Sequence, residues 1–254
     1  MRTLLQALAL ASVIALISLG TAHGAVGPNI DHFKCYYLIT PVGNTPVALQ
    51  DQFDPALKNV TVIRPLYLCN PTEKVHGAAT VVPMHPDEHL VCYLTREALE
   101  PTFEPRDVFV TNQFENHQEV RVVRRANLLC VPSAKSLVSQ PPPLTGIDTD
   151  HYRCYQITKP VSRIAIHLKD QFVDKDATVM RPILLCNPTT KVHLGVTTQP
   201  QHPDDHLVCY MTREAFKPVF KRLVAFISNQ FQGGPLKVVR SANLLCVPSA
   251  KALT

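Results

Sequence analysis

One short pattern occurs four times in this chain, and every occurrence brings two cysteines. It opens on His-x-x-Cys-Tyr, passes through Asp/Asn-Gln-Phe, and closes on Cys-Asn/Val-Pro-Ser/Thr-x-Lys. The first copy places these signatures at 32–36, 51–53 and 69–74, and the second at 89–93, 112–114 and 130–135. The third holds them at 151–155, 170–172 and 186–191, and the fourth at 206–210, 229–231 and 246–251. The decapeptide at 126–135 returns without a change at 242–251. Units this short cannot bury both faces alone, so like units must pack on one another.

Each unit reads as three short strands. Phe33, Cys35, Tyr37 and Ile39 alternate with Lys34 along the first, and Val60 to Ile63 is β-branched. Twenty-two prolines against nine glycines favour short strands and stiff turns over helices. Arg64-Pro65 predicts an edge position or a bulge. Only Thr95 to Leu99 and Thr212 to Phe216 read as helical turns, each behind a threonine cap. The expected fold is all-β: two tandem domains, 29–136 and 148–252, joined by a proline-rich linker over 137–147. Each domain pairs two three-stranded units about a pseudo-two-fold axis as a small barrel or sandwich.

The amino terminus carries an address. Arg2, an apolar run from Leu4 to Leu19 and the small residues of Ala22-His23-Gly24 predict a signal peptide over 1–24, cleaved before Ala25. The mature chain then has no transmembrane segment and is secreted or periplasmic. Eight cysteines in an exported chain imply disulfides. The simplest symmetric pairing is within units: Cys35–Cys69, Cys92–Cys130, Cys154–Cys186 and Cys209–Cys246. Exchange between units, such as Cys35–Cys130 with Cys69–Cys92, stays open. The formal charge of +5 is mild. Arg121, Arg124 and Arg125 form the densest basic group, which is too small for a nucleic-acid footprint.

The combined motif resembles a family of secreted bacterial repeat modules of unknown function, which carry His-x-x-Cys-Tyr, Asn-Gln-Phe and Leu-Cys-x-Pro-Ser/Thr-x-Lys. The resemblance spans 31–135 and 150–251. It implies export and a repeat fold, and no activity.

Histidines carry the sharpest chemical lead. His76, His85 and His89 recur as His193, His202 and His206, with Asp87 and Asp204 inside the closing His-Pro-Asp-x-His segments. Three imidazoles with a carboxylate suit zinc or copper. Against this, His89 and His206 share their position with His32 and His151, which reads as structural. Gln52, Gln113, Gln171 and Gln230 are expected to satisfy turn amides, and Lys74, Lys135, Lys191 and Lys251 to be solvated or to pair with a nearby carboxylate. No catalytic or cofactor signature is present: no glycine-rich phosphate loop, and no nucleophile elbow around Ser133 or Ser249. The function expected is a non-catalytic exported module that binds a macromolecule or envelope component. The alternatives are a metal protein and a carbohydrate binder; the absence of tryptophan weighs against the latter.

Overall fold

In a computed structural model the described residues are 30–99, 102–160 and 163–253; the expected signal peptide lies outside them. Unit 1 comprises β1 (Phe33–Ile39), β2 (Thr45–Gln50) and β3 (Lys58–Pro71), then a hairpin of β4 (Glu73–His76) and β5 (Ala79–Val81). Unit 2 comprises β6 (His89–Glu97), β7 (Arg106–Asn112) and β8 (Glu115–Ser136). Unit 3 is built like unit 1, with β9 (Tyr152–Thr158), β10 (Ile164–Lys169), β11 (Asp174–Pro188), β12 (Thr190–His193) and β13 (Val196–Thr198). Unit 4 is built like unit 2, with β14 (His206–Glu214), β15 (Leu223–Asn229) and β16 (Gln232–Leu253).

The protein is all-β, and its units pair as the repeat requires. The ladders do not stop at the boundary between the halves, however. The opening and closing strands pair antiparallel in the order β1–β3–β6–β8–β9–β11–β14–β16, and β16 returns to β1. Eight strands thus form a closed circuit, which leaves none of them an unpaired inner edge. Both halves belong to one sheet.

The tails of the units interlock this circuit. After its closing cysteine each unit runs on to pair with the middle strand of the unit opposite. The tail of unit 1, β4, pairs with β10, and that of unit 3, β12, pairs with β2. The end of β8 pairs with β15, and the end of β16 with β7.

Each opening cysteine faces the closing cysteine of its own unit directly across a ladder. The disulfides are Cys35–Cys69, Cys92–Cys130, Cys154–Cys186 and Cys209–Cys246. Loops of this length are worth about 3–4 kcal/mol each in the chain-entropy account. All eight sulfurs share one buried core with Phe33, Leu90, Tyr152 and Leu207, the residues that follow the four unit histidines. Cys130 Sγ lies 3.8 Å from Cys154 Sγ, and Cys186 Sγ 4.0 Å from Cys209 Sγ, so bridges of neighbouring units touch. Two lateral apolar cores flank this centre, one around Tyr155 and Tyr210 and one around Tyr36 and Tyr93.

Three local expectations are refined. Arg64-Pro65 forms a bulge, since the β3–β6 register slips between Val62 and Arg64 and again between Pro65 and Tyr67. The expected helical turns are strand instead: Thr95 pairs with Val62 and Thr212 with Val179, and both threonines are buried. Pairing to a long neighbouring strand overrides the local cap signal. No helix occurs among the described residues.

Candidate functional site

The signature side chains meet one another in the ring, and most are used there. The middle signature makes its own turn: Asp51, Asn112, Asp170 and Asn229 each accept the N–H of the phenylalanine two residues on, at 2.7 to 2.9 Å. The same four side chains bind the tyrosine of the opposite unit. Tyr36 donates to Asp170 and Tyr155 to Asp51, both at 2.7 Å, Tyr93 donates to Asn229 at 3.0 Å, and Asn112 donates to Tyr210 at 3.0 Å.

The closing lysine of each unit lies over the phenylalanine of the next. Lys74 sits 5.0 Å from the Phe114 ring, Lys135 4.4 Å from Phe172, Lys191 6.0 Å from Phe231 and Lys251 4.2 Å from Phe53. This corrects the expectation of solvated lysines: Lys74 is 0% and Lys191 1% exposed. The aromatic partner of each comes from a neighbouring unit and lies beneath the amine. Burial lowers the ammonium pKa to about 8 for Lys74 and Lys191, and to about 7 for Lys135 and Lys251.

Histidines complete these nodes. His32 Nε2 lies 3.2 Å from Lys74 Nζ and 2.7 Å from Gln113 Nε2, and His151 Nε2 lies 3.0 Å from both Lys191 Nζ and Gln230 Nε2. Both partners are donors, so this nitrogen carries the lone pair. Burial, reinforced by the neighbouring lysine, lowers the imidazole pKa to about 3 for His32, His151 and His206. His89 moves the same way. Gln113 and Gln230 therefore serve histidines rather than turn amides; all four glutamines are exposed.

The metal candidates divide. His89 and His206 are buried in the ring. His76 and His193 pack edge-on against Phe114 and Phe231. His85 and His202 do come together, through Asp148 of the connecting segment. Its carboxylate lies 3.3 Å from His85 Nε2 and 3.0 Å from His202 Nε2. Among the described residues no three His, Cys, Asp or Glu side chains gather as a metal-holding group.

Two features were not found in the sequence. The first is buried charge. Lys34 pairs with Glu214 and also donates to Ser241 at 2.9 Å. At the equivalent place Arg153 pairs with Glu97 and reaches Asp54 at 2.7 Å and Asp51 at 3.5 Å. Burial raises the Glu214 carboxyl, but the Lys34 ammonium outweighs it and holds the group below its ordinary value. The available signal was an alternation across units: Lys34 and Arg153 precede cysteines in units 1 and 3, where Val91 and Val208 stand in units 2 and 4.

The second is a cleft of about 450 Å³ where β8 meets β9. The ladder there is broken between Arg124 and Leu128, which leaves three residues outside the pairing. Tyr67, Ile183 and Leu184 give the cleft an apolar side, Asn127 and Gln156 an amide side, and Arg124 and Arg181 its charge.

The family described as a repeat of unknown function (DUF7450) matches residues 4–104 and 97–248. No curated protein and no solved structure matches the chain.

Proposed function

As the chain belongs to the DUF7450 repeat family, we propose that it is an exported, non-catalytic, disulfide-stapled binding module whose partner is a macromolecule or component of the cell envelope. The observation that carries this reading is the use of the repeated side chains. His32 and His151, the closing lysines, and the four tyrosines with their Asp and Asn partners are engaged with one another. Side chains so engaged maintain a scaffold, and a scaffold presents its ligand-reading residues where the copies differ. Four disulfides fit an oxidising compartment. No helix among the described residues is long and apolar enough to cross a membrane. The expected leader over 1–24 and the division at 137–147 belong to the same reading.

Fractionation with thiol labelling tests it. Cells expressing the full chain should hold it outside the cytoplasm, shortened at its amino terminus and without labelled cysteines. Recovery from the cytosol with reactive thiols would sink export. Hydrolytic turnover by the purified chain would sink the non-catalytic reading.

A second reading, metal binding, is favoured by the approach of His85 and His202 to Asp148. Stoichiometric zinc retained on dialysis and lost in the His85→Ala, His202→Ala double variant would install it in place of the first. An unloaded protein removes it.

A further inference from the structure

The ring has two seams between its halves, and they are not alike. At the β16–β1 seam, Tyr37 and Tyr67 lie with ring centres 5.1 Å apart, and the Arg240 guanidinium sits 4.6 Å over Tyr37. At the β8–β9 seam, Gln156 stands in the place of Tyr37, Leu184 in that of Tyr67 and Arg124 in that of Arg240. The aromatic pair is gone, and the cleft of about 450 Å³ remains. That volume lies in the range of small-ligand sites.

The charge in the cleft is uncompensated. Lys159 also lines it, but Glu115 holds its ammonium. Arg124 and Arg181 have no ion-pair or hydrogen-bond partner among the described residues, whereas Arg240 at the other seam is held on a ring. Both cleft arginines are exposed, so their guanidinium forks are accessible from solvent. The amide oxygen of Asn127, in the cleft wall, is buried without a partner, and such a group ordinarily finds one. The opposite wall, Leu66, Tyr67, Ile183 and Leu184, offers no hydrogen-bonding group but the tyrosine hydroxyl. Two free planar cations beside an apolar wall match a ligand with an oxyanion at one end and a hydrocarbon at the other.

We propose that the β8–β9 cleft binds a small amphipathic anion, with a carboxylate or phosphate head held by Arg124 and Arg181 and an apolar body laid against Tyr67, Ile183 and Leu184. The proposal rests on the binding-module reading and names its ligand class.

The test is calorimetric titration of the mature protein with decanoate, decyl phosphate and decanol, all below their aggregation concentrations. Decanoate, decyl phosphate or both should bind, and decanol should bind at least about tenfold more weakly. The Arg124→Gln, Arg181→Gln double variant should weaken the anions by about tenfold or more, and Gln156→Tyr should remove binding by restoring the ring found at the other seam. Arg64→Gln, at the seam that the tyrosines fill, should change nothing. The relative affinity of the two anions identifies the head. Thermal melts of each variant separate lost binding from lost folding. Decanol binding as tightly as decanoate, or anion binding unchanged in the double variant, would overturn the proposal. So would no binding by the folded wild-type chain. A chain that is exported and captures an envelope component yet ignores both anions keeps the broader reading and sinks only this one.

Discussion

Units 1 and 3 bury charge where units 2 and 4 bury neutral groups. In the first pair a basic residue precedes the opening cysteine and an aspartate begins the middle signature; in the second pair valine and asparagine hold those places. Both solutions satisfy the tyrosine of the opposite unit. They differ in what else they recruit. Lys34 draws in Glu214 of unit 4, and Arg153 draws in Glu97 of unit 2. In both pairs the basic partner lies in an odd unit and the glutamate in an even one, although Glu97 also has Arg125 of its own unit at 3.7 Å. A ring of near-identical units has an inherent hazard, since a unit could close against the wrong neighbour. Buried charge adds little net stability, because desolvation offsets most of the attraction. A misplaced unit, however, would set Glu97 or Glu214 against valine and a cation against Thr40 or Lys159, which hold the glutamate's place in units 1 and 3. We read the alternation as a device that fixes the order of closure.

The largest expected effect is common to all four units, and it sets the background for the comparison. His32, His151 and His206 titrate at about 3 in the fold, against an ordinary 6.5, because burial disfavours the imidazolium. Below pH 6.5 the unfolded chain takes up protons that the folded chain refuses. The contribution is present above 6.5 and is lost as pH falls toward 3. Asp150 and Asp170, raised by burial, act with the opposite sign and recover part of the loss. Melting temperature should fall steeply between pH 6.5 and 4; a flat profile would contradict the histidine geometry.

Arg153→Met should be next, costing about 3–5 kcal/mol in denaturant titrations, because it leaves Asp51 buried without its cation and Glu97 with only the more distant Arg125. Val91→Ala, at the matching place in unit 2, should cost less, about 1–2 kcal/mol for lost contact alone. Equal losses would remove the distinction between the two kinds of unit. Asn112→Asp converts an even site to an odd one without supplying a cation. A loss of about 1–3 kcal/mol at pH 7 is expected. It should shrink as pH falls through the carboxylate range, where the protonated acid mimics the amide. The finest discrimination comes from Tyr36→Phe against Tyr93→Phe. The first deprives a carboxylate of a donor and should cost about 1.5–3 kcal/mol, the second an amide at about 0.5–1.5 kcal/mol.

The repeat and the all-β class were legible because both live in local pattern: alternation, β-branched runs and the return of Cys-Tyr at each opening strand. Ring closure was not legible. The β8–β9 and β16–β1 ladders join a closing strand to an opening strand, as β3–β6 and β11–β14 do. Nothing in strand composition separates a pairing within a half from one between halves. The burial of the lysines is hidden in the sequence for a related reason. A lysine at the end of a repeat reads as solvated until the next unit's phenylalanine is known to lie beneath it, and for Lys251 that ring belongs to Phe53, at the far end of the chain. The seam cleft had a readable trace in Gln156 and Leu184, which break the match to Tyr37 and Tyr67. Agreement among the copies elsewhere masks such departures.

The pairing of Phe33 with Cys246 has a consequence for how the chain is made. β1 waits for β16, with the rest of unit 1, units 2 and 3 and most of unit 4 between them. The first half cannot complete its sheet until β16 is present, and contacts this distant in sequence form slowly. Each disulfide, by contrast, lies within one unit and can be oxidised as soon as that unit is out. Covalent cross-linking can therefore run ahead of tertiary closure. The end of β16 then seals a structure whose loops are already tied.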